Sequence, residues 1–148
     1  MQIQTLKRLI MLSMLSVLAT VSAHAQTGQQ FTATIPFNFH VGSKTLPAGQ
    51  YLVGRGTQAS SEGLALRGTA GQAGVFALTR GIQTVEIQQQ SKLVFRRYGD
   101  QYFLAEVWIS GRSTGRALPS SGKERSIARE IARHGGNPEK VAIVGNKH

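Results

Sequence analysis

Three arginines, Arg125, Arg129 and Arg133, recur at every fourth position near the end of the chain. On an α-helix that spacing stacks the side chains into a single ridge, where like charges repel by about 0.3 kcal/mol per pair. Arg112, Arg116 and Lys123 lie just upstream. Together these side chains form a candidate anion-binding surface, because guanidinium holds phosphate or carboxylate through two parallel N–H donors. The plainer explanation is a solvated helix face on which Glu124 and Glu130 partly neutralise the arginines. A second cluster, Arg96, Arg97, Tyr98, Tyr102 and Phe103, could stack on nucleobases. Arginine packed on aromatic rings across adjacent strands is the commoner use of such residues.

Acid–base and nucleophilic chemistry has thinner support, because it needs paired groups with tuned neighbours. Beyond residue 25 the histidines are His40, His134 and His148; no serine sits in a Gly-x-Ser-x-Gly elbow between a strand and a helix, and there is no cysteine. Glu86, Asp100 and Glu106 are dispersed. Asp100 is explained as a turn residue, and Glu106 as a partner for Arg or Lys on a neighbouring strand. No two histidines share metal-ligand spacing and no acidic loop is clustered, so neither metal nor cofactor is expected. A small enzyme acting on envelope polymers through His40 or a carboxylate brought up by folding is kept as an alternative.

The amino terminus carries Lys7 and Arg8, an apolar run from Leu9 to Val21, and Ala23-His24-Ala25 before Gln26. That order predicts an export signal over residues 1–25, since small side chains at Ala23 and Ala25 suit signal peptidase and the run is shorter than a ~20-residue span. The expected location is periplasmic or extracellular. With no cysteine, the exported domain must be held by its core alone. The roughly 120 remaining residues suffice for one such core. A net charge of +10 over the 148 residues, of which Lys7 and Arg8 leave with the signal, favours anionic partners. In that compartment an anionic envelope lipid or polysaccharide is a better expectation than nucleic acid.

The elements that must position these side chains read as strands. Leu93, Phe95, Tyr102, Leu104 and Trp108 share one face if Gly99-Asp100 is the two-residue turn of a hairpin over residues 92–109. Counting outward sets Tyr98 opposite Gln101, Arg97 opposite Tyr102, Phe95 opposite Leu104 and Leu93 opposite Glu106. Phe31, Ala33, Ile35, Phe37, Phe39 and Val41 alternate with mostly polar residues in a half-buried strand, bent or bulged at Pro36. Gln50–Val53, Gly63–Arg67 and Val75–Arg80 add short strands, and Thr84–Gln88 another with Val85 and Ile87 inward. Residues 54–63 have loop composition, and 111–120 read as a basic loop. Ser121 with Glu124 predicts a capping box for a helix over 121–134, its Ile127, Ala128, Ile131 and Ala132 stripe packed on the sheet. Residues 135–148 are a tail or an edge strand. The class is all-β, an antiparallel sandwich or small barrel over 26–110 with one short carboxy-terminal helix.

Ile35-Pro36-Phe37-Asn38-Phe39, Leu46-Pro47-Ala48-Gly49-Gln50-Tyr51, Lys92-Leu93-Val94-Phe95, Arg97-Tyr98-Gly99-Asp100-Gln101-Tyr102-Phe103-Leu104 and Gly115-Arg116-Ala117-Leu118-Pro119 resemble a family of small exported bacterial β-rich proteins to which no activity is assigned. The resemblance implies an exported β-rich domain and transfers no catalytic residue. The sequence therefore predicts a non-enzymatic, envelope-associated structural or binding protein that recognises an anionic surface. A carrier enclosing an apolar ligand is the further alternative.

Overall fold

The computed structural model describes residues 30–57, 60–71 and 73–147. The export signal expected over 1–25 and the terminal His148 lie outside them. In chain order the strands are β1 (Phe31–Ile35), β2 (Phe39–Val41), β3 (Lys44–Leu46), β4 (Gly49–Thr57), β5 (Ser60–Gly68), β6 (Val75–Leu78), β7 (Arg80–Gln83), β8 (Lys92–Tyr98), β9 (Gln101–Trp108) and β10 (Thr114–Ala117). Helix α1 (Gly122–Arg133) follows, then β11 (Glu139–Val144) and β12 (Asn146–Lys147). One sheet has the order β12-β1-β4-β5-β6 and the other β11-β8-β9-β10-β7, with β2 and β3 attached beside β9. The fold is a sandwich rather than a closed barrel, with the helix near its carboxy terminus.

Alternation decides what lies between the sheets. Phe31 and Ile35 from β1, Tyr51 and Val53 from β4, Leu64 and Leu66 from β5, and Leu93, Phe95, Leu104 and Val107 from β8 and β9 are each at most 2% exposed. Burying such side chains contributes ~1.5–3 kcal/mol apiece. The Phe39 ring joins the layers edge-on, 5.3 Å from Tyr51 and 5.5 Å from Phe95. Both flanks are turned by single residues that carry the chain from one sheet to the other, Thr79 between β6 and β7 and Gly145 between β11 and β12. Only glycine fits the second corner, since a Cβ there would come within 2.1 Å of the Phe31 ring.

The Gly99-Asp100 hairpin forms, with Gly99 at φ 62° and the pairs Tyr98–Gln101, Arg97–Tyr102 and Phe95–Leu104 as expected. Leu93, however, pairs with Val107 rather than Glu106. Ala105 is an extra residue in β9, a β-bulge whose carbonyl accepts from the Leu118 N–H at 2.8 Å. Everything beyond it changes face. Val107 turns inward, and Glu106 and Trp108 turn outward, where the Trp108 Nε1–H donates to Glu106 Oε2 at 2.8 Å and Lys140 Nζ reaches Glu106 Oε1 at 3.6 Å.

Other expectations are corrected. Residues 54–63 are mostly strand: β4 and β5 pair as far as Thr57 and Ser60, with one register shift. Their glycines lack side chains but gain a cover, for the Phe76 ring of β6 lies across Gly56 and Gly63. Residues 84–88 are no strand, and Val85 and Ile87 point outward, 99% and 60% exposed. The Thr84 and Gln88 N–H groups bond Ser113 O and Arg112 O instead of a strand partner, which forces the residues between them into a loop. The strand expected from Phe31 to Val41 breaks at Pro36, placing β1 and β2 in different sheets. The middle of the expected basic loop is β10, and Glu139–Val144 is an edge strand on β8.

Candidate functional site

At one end of the sandwich the two sheets leave a cleft of about 310 Å3. Its walls follow from strand phase. On β4 the inward positions run Tyr51, Val53, Arg55, and on β5 they run Leu66, Leu64, Glu62, so each strand passes from apolar to charged within two residues. From the facing sheet come Val107, turned in by the bulge, then Ile109, and from β10 Thr114 and Arg116. Arg112 closes the rim. The floor of Phe31, Val53, Leu64 and Val107 is at most 2% exposed, whereas Arg55, Glu62 and Arg112 are exposed and Arg116 is half-buried. The volume is at the lower end of the ~300–1,000 Å3 usual for small-molecule sites.

Arg116 is the charged group set deepest. It pairs with Val107 across β9 and β10, and its Nη1 donates to Thr79 Oγ1 at 3.4 Å. Thr79 is itself pinned, its N–H and Oγ1–H donating to the Glu62 carbonyl at 2.9 and 2.6 Å. The corner between the sheets thus also positions the arginine. Burial, followed by repulsion from Arg55 and then Arg112, pushes the Arg116 guanidinium below its ordinary range, with Glu62 pulling the other way. An anion entering here would meet several guanidinium groups at once, and anything apolar attached to it would find a dry floor.

The six basic residues singled out in the sequence divide across one sheet. Arg112 and Arg116 border the cleft, between the layers. Lys123, Arg125, Arg129 and Arg133 ride on α1, which seats on the outer face of β8. The helix ridge is partly engaged within the chain: Arg125 donates to the Ser120 carbonyl, Arg133 meets Glu130 at 3.2 Å, and Lys123 Nζ donates to His40 Nε2 at 3.3 Å. Arg129 is exposed. Ser121 caps α1 by accepting from the Glu124 N–H at 3.1 Å, but Glu124 does not complete the box. Its carboxylate, buried under the helix, takes Arg96 Nε at 2.5 Å and Nη2 at 3.2 Å. That ion pair anchors the helix, while Ile127, Ala128 and Ile131 are half-buried and Ala132, expected in the same packed stripe, is exposed at the far end of the helix from the pair.

The arginine and aromatic cluster is cross-strand packing: Arg97 lies 5.6 Å over the Tyr102 ring and bonds Glu139, and Tyr98 meets Phe103 edge-on. His40 stacks on Phe103, and its nitrogens face Thr45 and Lys123 rather than a carboxylate. Burial, then Lys123, pushes its pKa down. Sequence reasoning missed Arg55 and Glu62, although the alternation Tyr51, Val53, Arg55 carries the signal. It also passed over Gly111-Arg112-Ser113-Thr114-Gly115, which has the letters of a nucleophile elbow but joins strand β9 to strand β10. Among the described residues no group of His, Asp and Glu could hold a metal ion. No protein-family model matches the chain, and the searches of curated proteins and of solved structures return no match.

Proposed function

We propose that this is an exported, non-enzymatic binding protein for small anionic amphiphiles, holding the head group at Arg55, Arg112 and Arg116 and the apolar tail between the sheets. The observation that carries this reading is the meeting, in one cleft, of three guanidinium groups with a floor at most 2% exposed. A free anion at a wet rim gains little, since exposed ion pairs contribute under ~1 kcal/mol. A neutral apolar molecule would fill the floor and make no use of the arginines at the rim. An amphiphile satisfies both demands, its tail contributing ~0.8 kcal/mol per buried methylene while its carboxylate or phosphate relieves the arginines.

The 310 Å3 cleft holds about ten units of water size at ~30 Å3 each, which suits a medium-length alkyl chain. Of the two partners expected from composition, the envelope lipid fits better than the polysaccharide, which has no tail for the floor. The signal-like residues 1–25 and the resemblance to exported β-rich proteins support export.

Titration calorimetry with decanoate, decanol and inorganic phosphate tests the reading. Decanoate binds at least tenfold more tightly than decanol, phosphate alone binds weakly, and Arg116→Met lowers decanoate to the level of decanol. Equal decanoate affinity in the parent and in Arg116→Met would sink it.

A further inference from the structure

We infer that the rim of the cleft docks on an anionic lipid bilayer, Val85 and Ile87 entering the lipid and Arg112 meeting its phosphates. The inference deepens the amphiphile reading by naming the surface from which the ligand is taken.

Val85 is 99% exposed and Ile87 60% exposed. Scattered apolar residues on a surface are ordinary, but these two share the tip of one fastened loop. Thr84 N–H donates to Ser113 O at 2.8 Å, Gln88 N–H to Arg112 O at 2.9 Å and Gly111 N–H to Gln88 O at 2.8 Å. The backbone therefore holds two β-branched side chains out in water beside the segment that carries Arg112 and Thr114 into the cleft wall.

Charge selects the occupant. Arg55 and Arg112 are exposed at the rim, Arg116 stands behind them, and the chain's net charge of +10 stays strongly positive once Lys7 and Arg8 leave with the expected signal. Glu62 and Glu86 oppose them, leaving the three arginines in excess over two carboxylates. Apolar tips flanked by arginine suit the boundary between acyl chains and phosphate head groups, where the side chains enter the first and the guanidinium binds the second. Attachment of this kind is peripheral, and no helix among the described residues is long and apolar enough to cross a membrane.

Co-sedimentation of the chain with phosphatidylcholine vesicles, with and without phosphatidylglycerol, tests the docking. The parent binds the anionic vesicles and only weakly the neutral ones. The double variant Val85→Ser/Ile87→Ser, at exposed positions where folding is not at stake, loses more than tenfold in vesicle affinity and keeps its decanoate affinity. The triple variant Arg125→Gln/Arg129→Gln/Arg133→Gln on the helix keeps both. Failure of the parent to bind anionic vesicles overturns the inference, as does unchanged binding by the Val85/Ile87 variant or loss confined to the helix variant. Vesicle binding that depends on Val85 and Ile87 in a chain that ignores decanoate would uphold the docking surface and refute the cleft reading alone.

Discussion

Arg96 and Arg116 are the same residue on opposite faces of one sheet, each partly withdrawn from water, and their surroundings push them in opposite directions. Burial disfavours the charge on Arg96, but the hydrogen bond and the charge of Glu124 outweigh it and raise the pKa above the ordinary arginine range. Burial also disfavours the charge on Arg116, and there Arg55 and Arg112 add to the cost while Glu62 only partly offsets it. The two differ in the sign of the charges around them, Glu124 beside Arg96 and mainly Arg55 and Arg112 beside Arg116. Arg96 is complete, and its pair fastens the helix. Arg116 is held by Thr79 and stands among Arg55, Arg112 and Glu62.

The largest test of this contrast is Glu124→Ala. Removing one member of a mostly buried pair strands the other, at ~3–5 kcal/mol for full burial, and the 24% exposure of the Arg96 side chain reduces that to about 2 kcal/mol in urea denaturation. Next come the matched variants Arg96→Met and Arg116→Met. The first leaves Glu124, 2% exposed, without its cation and destabilises by about 2 kcal/mol; the second changes stability by less than ~0.5 kcal/mol. Equal losses would erase the distinction. Glu62→Gln sharpens it from the other side: with the opposing carboxylate gone, decanoate binds about threefold more tightly in calorimetry, within the ~1 kcal/mol of an exposed charge.

The smallest effect belongs to His40, where Lys123 repeats on a minor scale the like-charge crowding at Arg116. Its pKa is lowered from 6.5 by burial and then by Lys123, so the unfolded chain takes up the proton first. The stability this contributes is complete above 6.5 and is lost as the pH falls below that value. Urea denaturation therefore shows a slightly lower stability at about pH 5.5 than at about pH 7.5 on its account, and His40→Gln removes that difference.

Much of the architecture was legible because alternation and turn chemistry are local. Gly99-Asp100, Pro36 and Ser121 each mark a turn, break or cap that forms. The bulge at Ala105 was not legible, since an inserted residue is invisible until two strands are paired. That one residue decided whether Glu106 or Val107 would face the cleft. The β4–β5 hairpin hid behind glycines because the ring that covers them, Phe76, is supplied from a third strand. The sequence places Arg112 and Arg116 beside the helix arginines, and proximity along the chain suggested one surface. Arg116 instead turns inward with the phase of β10, and a whole sheet comes between.

The single-residue corners have a consequence for how this molecule behaves in company. Sheets invite fibrils when a long flat border can template the next chain. Here the bordering strands β3, β6, β7, β11 and β12 are 3, 4, 4, 6 and 2 residues long, and Thr79 and Gly145 bend the last four away onto the opposite layer. Such a chain can be crowded, without disulfides to hold it, and still offer little to seed amyloid growth.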